Sequence, residues 1–305
     1  MSQIWRLNLK PEPDDIFGLR DVFDFCQKNE IAGVGWREIN VRTDDYWELK
    51  SYAETVYPDG TTGALKALNA MRKMDINDLI YTRFDGTYFL CRVKGRWIDS
   101  KPTDEHYQHD VCNYVDVEWT TIGTEDNVPG KVVNSFGPSA TVQQVGDVEE
   151  ISKLLWNNFS KSNFKYPVVP IELKDFWQSI SSEDLECLII LYLQSKGYYV
   201  YSTTLKPITA KIECVMIKND GSHKCYPQIK RETTLCGKDY ETLLHNPYDK
   251  VFLFTTSQNY IKCDNPQVEY IGLSEMENFI KTNKNLLSAT ILNWVKICDE
   301  LRKEI

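Results

Sequence analysis

Apolar residues recur along the chain with two spacings, and their alternation predicts the elements. Ile4, Leu7 and Leu9 predict a short strand within residues 1–10, broken by Pro11 and Pro13. Leu19, Val22, Phe23 and Cys26 share one face of a helix over 18–30. Residues 31–36 (IAGVGW) read as a compact glycine-rich turn presenting an aromatic ring, and 61–74 as another helix. Residues 78–93 alternate as a hairpin turning at Asp85-Gly86. A strand over 113–123 follows, then two short strands around a Gly-Pro turn in 128–145.

The character of the chain changes after Gly146. Val148, Ile151, Leu154 and Leu155 predict an amphipathic helix over 147–159. Residues 160–175, with Lys161, Lys165, Lys174, Pro167 and Pro170, have no period and read as a connector. A helix over 183–196 carries Leu185, Leu188, Ile189, Tyr192 and Leu193 on one face and stops at Gly197. Strands are expected over 198–202, 211–218 and 224–231, the last two joined by Asn219-Asp220-Gly221. After a short helix at 239–245, residues 250–257 (KVFLFTTS) form the apolar run of a strand buried on both faces. A strand over 268–273, a helix over 274–281 boxed by Ser274 and Glu277, and a helix over 289–301 close the chain.

Length and composition narrow the classes. At 305 residues the chain is natural for two domains. No apolar run reaches membrane-span length and the N-terminus lacks a signal-peptide core, so a cytoplasmic protein without membrane contact is expected. Nine cysteines with no regular spacing fit reduced thiols better than disulfides or a zinc site. Net charge is −9; residues 1–150 hold 16 Lys+Arg against 26 Asp+Glu, and the remainder 19 against 18. Neither part is broadly basic, so any nucleic-acid contact must come from local clusters or from a pocket that takes one base. His106, His109 and Cys112 suggest a metal set, but residues 105–110 read as a surface loop. No phosphate loop, dinucleotide fingerprint or nucleophile elbow is present.

Candidate chemistry concentrates in 182–232. Glu213 lies in one expected strand, Gln228 and Lys230 share a face of the next, and Glu186 projects from the preceding helix. A carboxylate, an amide oxygen and an ammonium at a sheet end can hold a divalent ion and offset charge on a phosphate. With the helix pattern Leu185-Glu186 … Gly197-Tyr198, this segment resembles the PD-(D/E)xK nuclease superfamily, most of all its Mrr-type restriction branch. The sequence departs from that pattern in having Glu213 for the usual Asp, neutral Gln228, and no glycine-rich approach. The resemblance implies Glu186, Glu213, Gln228 and Lys230 as catalytic residues. It implies Mg²⁺ or Mn²⁺ held by Glu213, Gln228 and the Ile229 carbonyl.

The pair IWRLNLKP … IAGVGW resembles the opening of EVE and YTH domains of the PUA-like group. That resemblance implies a reader holding a modified base between aromatic faces, with Trp36, Trp47 and Trp97 as cage residues and Asn134 and Ser135 as edge readers. Core packing is the other reading of each tryptophan.

The expected fold is an α+β PUA-like barrel with helices over 1–146, a helix and linker over 147–175, and an α/β restriction-endonuclease-like domain over 176–305. The expected function is a modification-dependent DNA endonuclease in defence against foreign DNA. A homodimer is compatible with it, since cutting both strands needs two sites. The alternative is an inactive nucleic-acid-binding module that recruits a partner to modified DNA or RNA.

Overall fold

A computed structural model describes residues 2–9, 12, 17–58, 61–137, 140–167, 176–177, 179–204 and 212–303. The chain is a mixture of helices and strands in two units, residues 1–179 with 297–305, and residues 180–296.

Strands of the first unit are β1 (Ile4–Leu7), β2 (Ile31–Val34), β3 (Leu79–Phe84), β4 (Thr87–Val93), β5 (Asn113–Gly123) and β6 (Val142–Gln144). They form one curled, open half-barrel sheet in the order β2-β5-β4-β3-β1-β6, antiparallel except for β1 beside β3. The β3–β4 hairpin turns at Asp85 and Gly86, both at positive φ (49° and 72°), which is what a two-residue turn of right-handed twist requires.

Helices α1 (Leu19–Lys28), α2 (Tyr46–Val56), α3 (Thr61–Lys73), α4 (Asp104–Gln108), α5 (Gly130–Ser135) and α6 (Glu149–Phe159) accompany the sheet. Trp5, Leu68, Met71, Ile80, Cys91 and Trp97 are among the residues of its core. Three expectations are corrected. The glycine-rich 31–36 stretch is mostly strand β2, because Ile31 to Val34 pair with Asp116 to Asn113 of β5. The region 128–145 holds helix α5 and one strand rather than two strands. Residues 105–110 are no open loop: His109 is buried, stacked on Phe25 at 4.1 Å, and His106 accepts from Thr103 to cap α4.

Much of the expected connector belongs to this unit. Ser152 of α6 accepts from Tyr81 at 2.9 Å, and Trp156 and Asn157 donate to the carbonyls of Phe164 and Tyr166. Residues 168–175 lie outside the described residues.

In the second unit α7 (Ser182–Ser195) starts at Ser181, whose hydroxyl accepts from Asp184 N, and ends before Gly197 at φ 84°. Strands β7 (Tyr198–Val200), β8 (Met216–Lys218), β9 (Lys224–Lys230), β10 (Leu235–Cys236), β11 (Lys250–Thr255), β12 (Tyr260–Ile261) and β13 (Val268–Tyr270) follow, then α8 (Leu273–Thr282) and α9 (Ala289–Lys303), whose residues from Ile297 on belong to the first unit. The main sheet runs β13-β11-β9-β8-β7, parallel from β13 to β9 and antiparallel beyond. Central β9 and β11 are buried along nearly their whole length, as their apolar runs require. Gly272, not Ser274, caps α8, two residues earlier than the Ser-Glu box predicts.

Candidate functional site

The strand expected over 211–218 is only Met216–Lys218; Lys211 itself lies outside the described residues. Pro227 accounts for the shortening. Pairing of β8 with β9 runs through Met216 opposite Cys225, and its continuation would set Cys214 against Pro227, which has no N–H to donate. The ladder stops there, and the chain returns by one displaced bond, from Glu213 N to the Pro227 carbonyl at 3.0 Å. Glu213 is therefore not inside a strand, and the irregularity re-aims its side chain toward the C-terminal end of β9.

At that end the Glu213 carboxylate accepts from Lys230 Nζ at 3.2 Å and from Ile229 N at 3.4 Å. Glu186, from α7, meets the same carboxylate: burial, then the charge of Glu213, push its carboxyl up to about 7, against the opposing pull of Lys230. Glu213 is mostly buried, while the Lys230 side chain is 43% exposed. The structure thus brings Glu186, Glu213 and Lys230 together.

Gln228 is only 2% exposed, and its buried Oε1 has no hydrogen-bond partner among the described residues. An orphaned amide oxygen two residues before Lys230 on the same strand face is an acceptor awaiting a donor or a cation. Among the described residues no group of three or more His, Cys, Asp and Glu side chains gathers as a metal set. A divalent ion here would rest on Glu213, the Gln228 oxygen and the Ile229 carbonyl, an all-oxygen set that suits Mg²⁺ or Mn²⁺. Tyr240, in the 3₁₀ turn Gly237–Leu243, lies within electrostatic reach of Glu213. No residue spacing in the sequence points to it, since the turn that delivers it comes from the β9–β11 crossover.

In the first unit the five expected base-binding residues do not gather. Trp97 is corrected to a core residue: it is fully buried, its Nε1 donates to Asn113 Oδ1 at 3.2 Å, and Arg42 lies over its ring. Ser135 is buried and donates back to the Val132 carbonyl, and Asn134 is exposed on the last turn of α5. Trp47, 69% exposed on α2, packs edge-on against Tyr46.

Trp36 lines a cavity of about 610 Å³ shared with Tyr57, Glu12, Arg37, Glu38 and Asp110. Trp36 is held at φ 59° by Asn113, whose Nδ2 donates to the Gly35 carbonyl at 2.6 Å and to the Trp36 carbonyl at 3.3 Å. Trp97 therefore acts on Trp36 through Asn113. A Cβ at Gly35 would sit 2.3 Å from both carboxylate oxygens of Asp110, so glycine there admits the acid. Asp110, itself at φ 51°, accepts from Glu12 N at 2.9 Å; burial pushes its carboxyl above the ordinary range. The sequence drew attention to residues 105–110 for histidines, whereas the carboxylate ending that stretch faces the cavity. No family model, no curated protein and no solved structure matches the chain.

Proposed function

We propose that the chain is a metal-dependent phosphodiester hydrolase acting on DNA, of the PD-(D/E)xK kind, with a PUA-like first unit that reads a base. The observation that carries this reading is the meeting of Glu186, Glu213 and Lys230 at the C-terminal end of a central strand that also bears the buried Gln228 amide. Sites of open α/β sheets lie at such strand ends.

Glu213, Gln228 and the Ile229 carbonyl are the groups that would hold Mg²⁺. Bound there, such an ion supplies positive charge to phosphate oxygens and acidifies water. Lys230, exposed enough to leave Glu213 for a phosphate, offsets charge developing on the scissile group. Glu186, its carboxyl pushed up to about 7 by burial and the charge of Glu213, is suited to take up or release a proton as the local charge changes. Purified protein incubated with methylated and unmethylated duplexes and Mg²⁺ is expected to cut one of them. Lys230→Ala is expected to lower the rate at least about 100-fold; an unchanged rate refutes the assignment.

The second reading is a binding module without catalysis, favoured by the small number of anionic ligands at the site. Thermal unfolding separates the two. A rise in Tm with Mg²⁺ or Mn²⁺ that vanishes in Glu213→Ala supports the enzyme, and no rise supports the module.

A further inference from the structure

The first-unit cavity has the size of a small-molecule pocket, for which about 300–1,000 Å³ is usual. Its lining has a definite chemistry. Trp36 and Tyr57 supply aromatic surface, and among the described lining residues Glu12, Glu38 and Asp110 set three carboxylates against the guanidinium of Arg37. That balance repels a phosphate, so a nucleotide entering here leaves its phosphates outside and inserts its base. An aromatic face accepts any base by stacking, and the hydrogen-bonding edge must then choose among them. Carboxylates only accept when ionised, so the edge they select is one that donates.

Asp110 is the best-placed acceptor. Its Oδ2 takes the Glu12 N–H, while Oδ1 lies 3.8 Å from Arg37 Nε. The cavity also concentrates backbone strain, with Trp36 and Asp110 both in the left-handed region and Gly35 between them in space. Such strain persists where surrounding structure over-determines it, and here Asn113 and the Glu12 amide do so.

We infer that this cavity receives one unstacked guanine-type base, with Trp36 along its face and the Asp110 carboxylate accepting from its adjacent N1–H and N2–H₂ donors. The inference rests on the proposed nucleic-acid reading and names the base edge it takes. Thymine, whose single N3–H is flanked by two carbonyl acceptors, meets repulsion from the same carboxylates.

Calorimetric titration of the full chain with guanosine, adenosine, cytidine and thymidine tests it. Guanosine is expected to bind at least tenfold more tightly than thymidine. Asp110→Asn, a residue that tolerates positive φ, is expected to lose that preference, and Glu38→Gln, at an exposed position, to weaken guanosine two- to threefold. Equal binding of guanosine and thymidine overturns the inference, as does guanosine binding unchanged in both variants. Free arginine outcompeting guanosine also overturns it and identifies a pocket for a guanidinium-bearing peptide. If no nucleoside binds at millimolar concentration while the chain still retains an oligonucleotide, the inference falls and the nucleic-acid reading stands. If the oligonucleotide is lost as well, both fall.

Discussion

Tryptophan and glutamine show how far a residue's role depends on what surrounds it. Trp97 and Trp47 are the same side chain, yet one is sealed over Asn113 and the other stands in solvent. Trp97→Ala is expected to cost about 3–5 kcal/mol, and Trp47→Ala to stay within about 0.5 kcal/mol, both measured by denaturant unfolding. Similar costs for the two would contradict the burial. Gln228 offers an opposite case, a buried amide oxygen with no donor among the described residues. An unsatisfied buried polar group costs about 1–3 kcal/mol. Gln228→Met, of similar volume, is therefore expected to leave the Tm of ligand-free protein equal or higher while abolishing any Mg²⁺-induced rise. A clear drop in Tm would mean that the amide is structural.

Among the elements, β4, β5 and the stretch after α6 are joined by one charged knot. Arg92 and Glu118 face each other across β4 and β5, with Nη2 2.8 Å from Oε2, and Ser162 Oγ donates to the same oxygen at 2.9 Å. The guanidinium also lies over Phe164 at 4.3 Å. Burial pushes the Glu118 carboxyl up, but the bonds from Arg92 and Ser162 and the Arg92 charge outweigh it and hold it below the ordinary 4.5. Unfolded chain thus binds this proton more readily than folded chain. The stabilisation is fully present above pH 4.5 and is lost as pH falls through the lower folded value. Glu118→Gln is expected to reduce stability at pH 7 and to flatten the acid limb of a Tm–pH curve. An acid limb as steep as in the wild type would rule the pair out as its source.

Taken whole, the molecule carries a charge of −9, with the excess of acid in its first half. Any retention of nucleic acid must then draw on few phosphate contacts. With about two or three neutralised phosphates, the logarithm of affinity should fall with the logarithm of salt at a slope of about −2 to −3. Filter binding between low and physiological salt measures it. A slope steeper than about −6 would mean an extensive cationic surface and would exclude recognition led by a pocket.

What the chain determined by itself were the elements that local physics controls. Helix α7 with its Ser181 start and Gly197 stop, the Asp85-Gly86 hairpin and the doubly buried β11 all follow from period, cap and turn chemistry. The pattern also singled out Glu186, Glu213 and Lys230, and these side chains do come together. Only tertiary structure decided that Pro227 would end a ladder and turn Glu213 toward Lys230, because a missing N–H matters only once a neighbouring strand is known. It alone buried Trp97, and it alone set Asp110 against Gly35 beside Trp36, since residues some 75 positions apart acquire a common cavity through strand pairing and not through spacing.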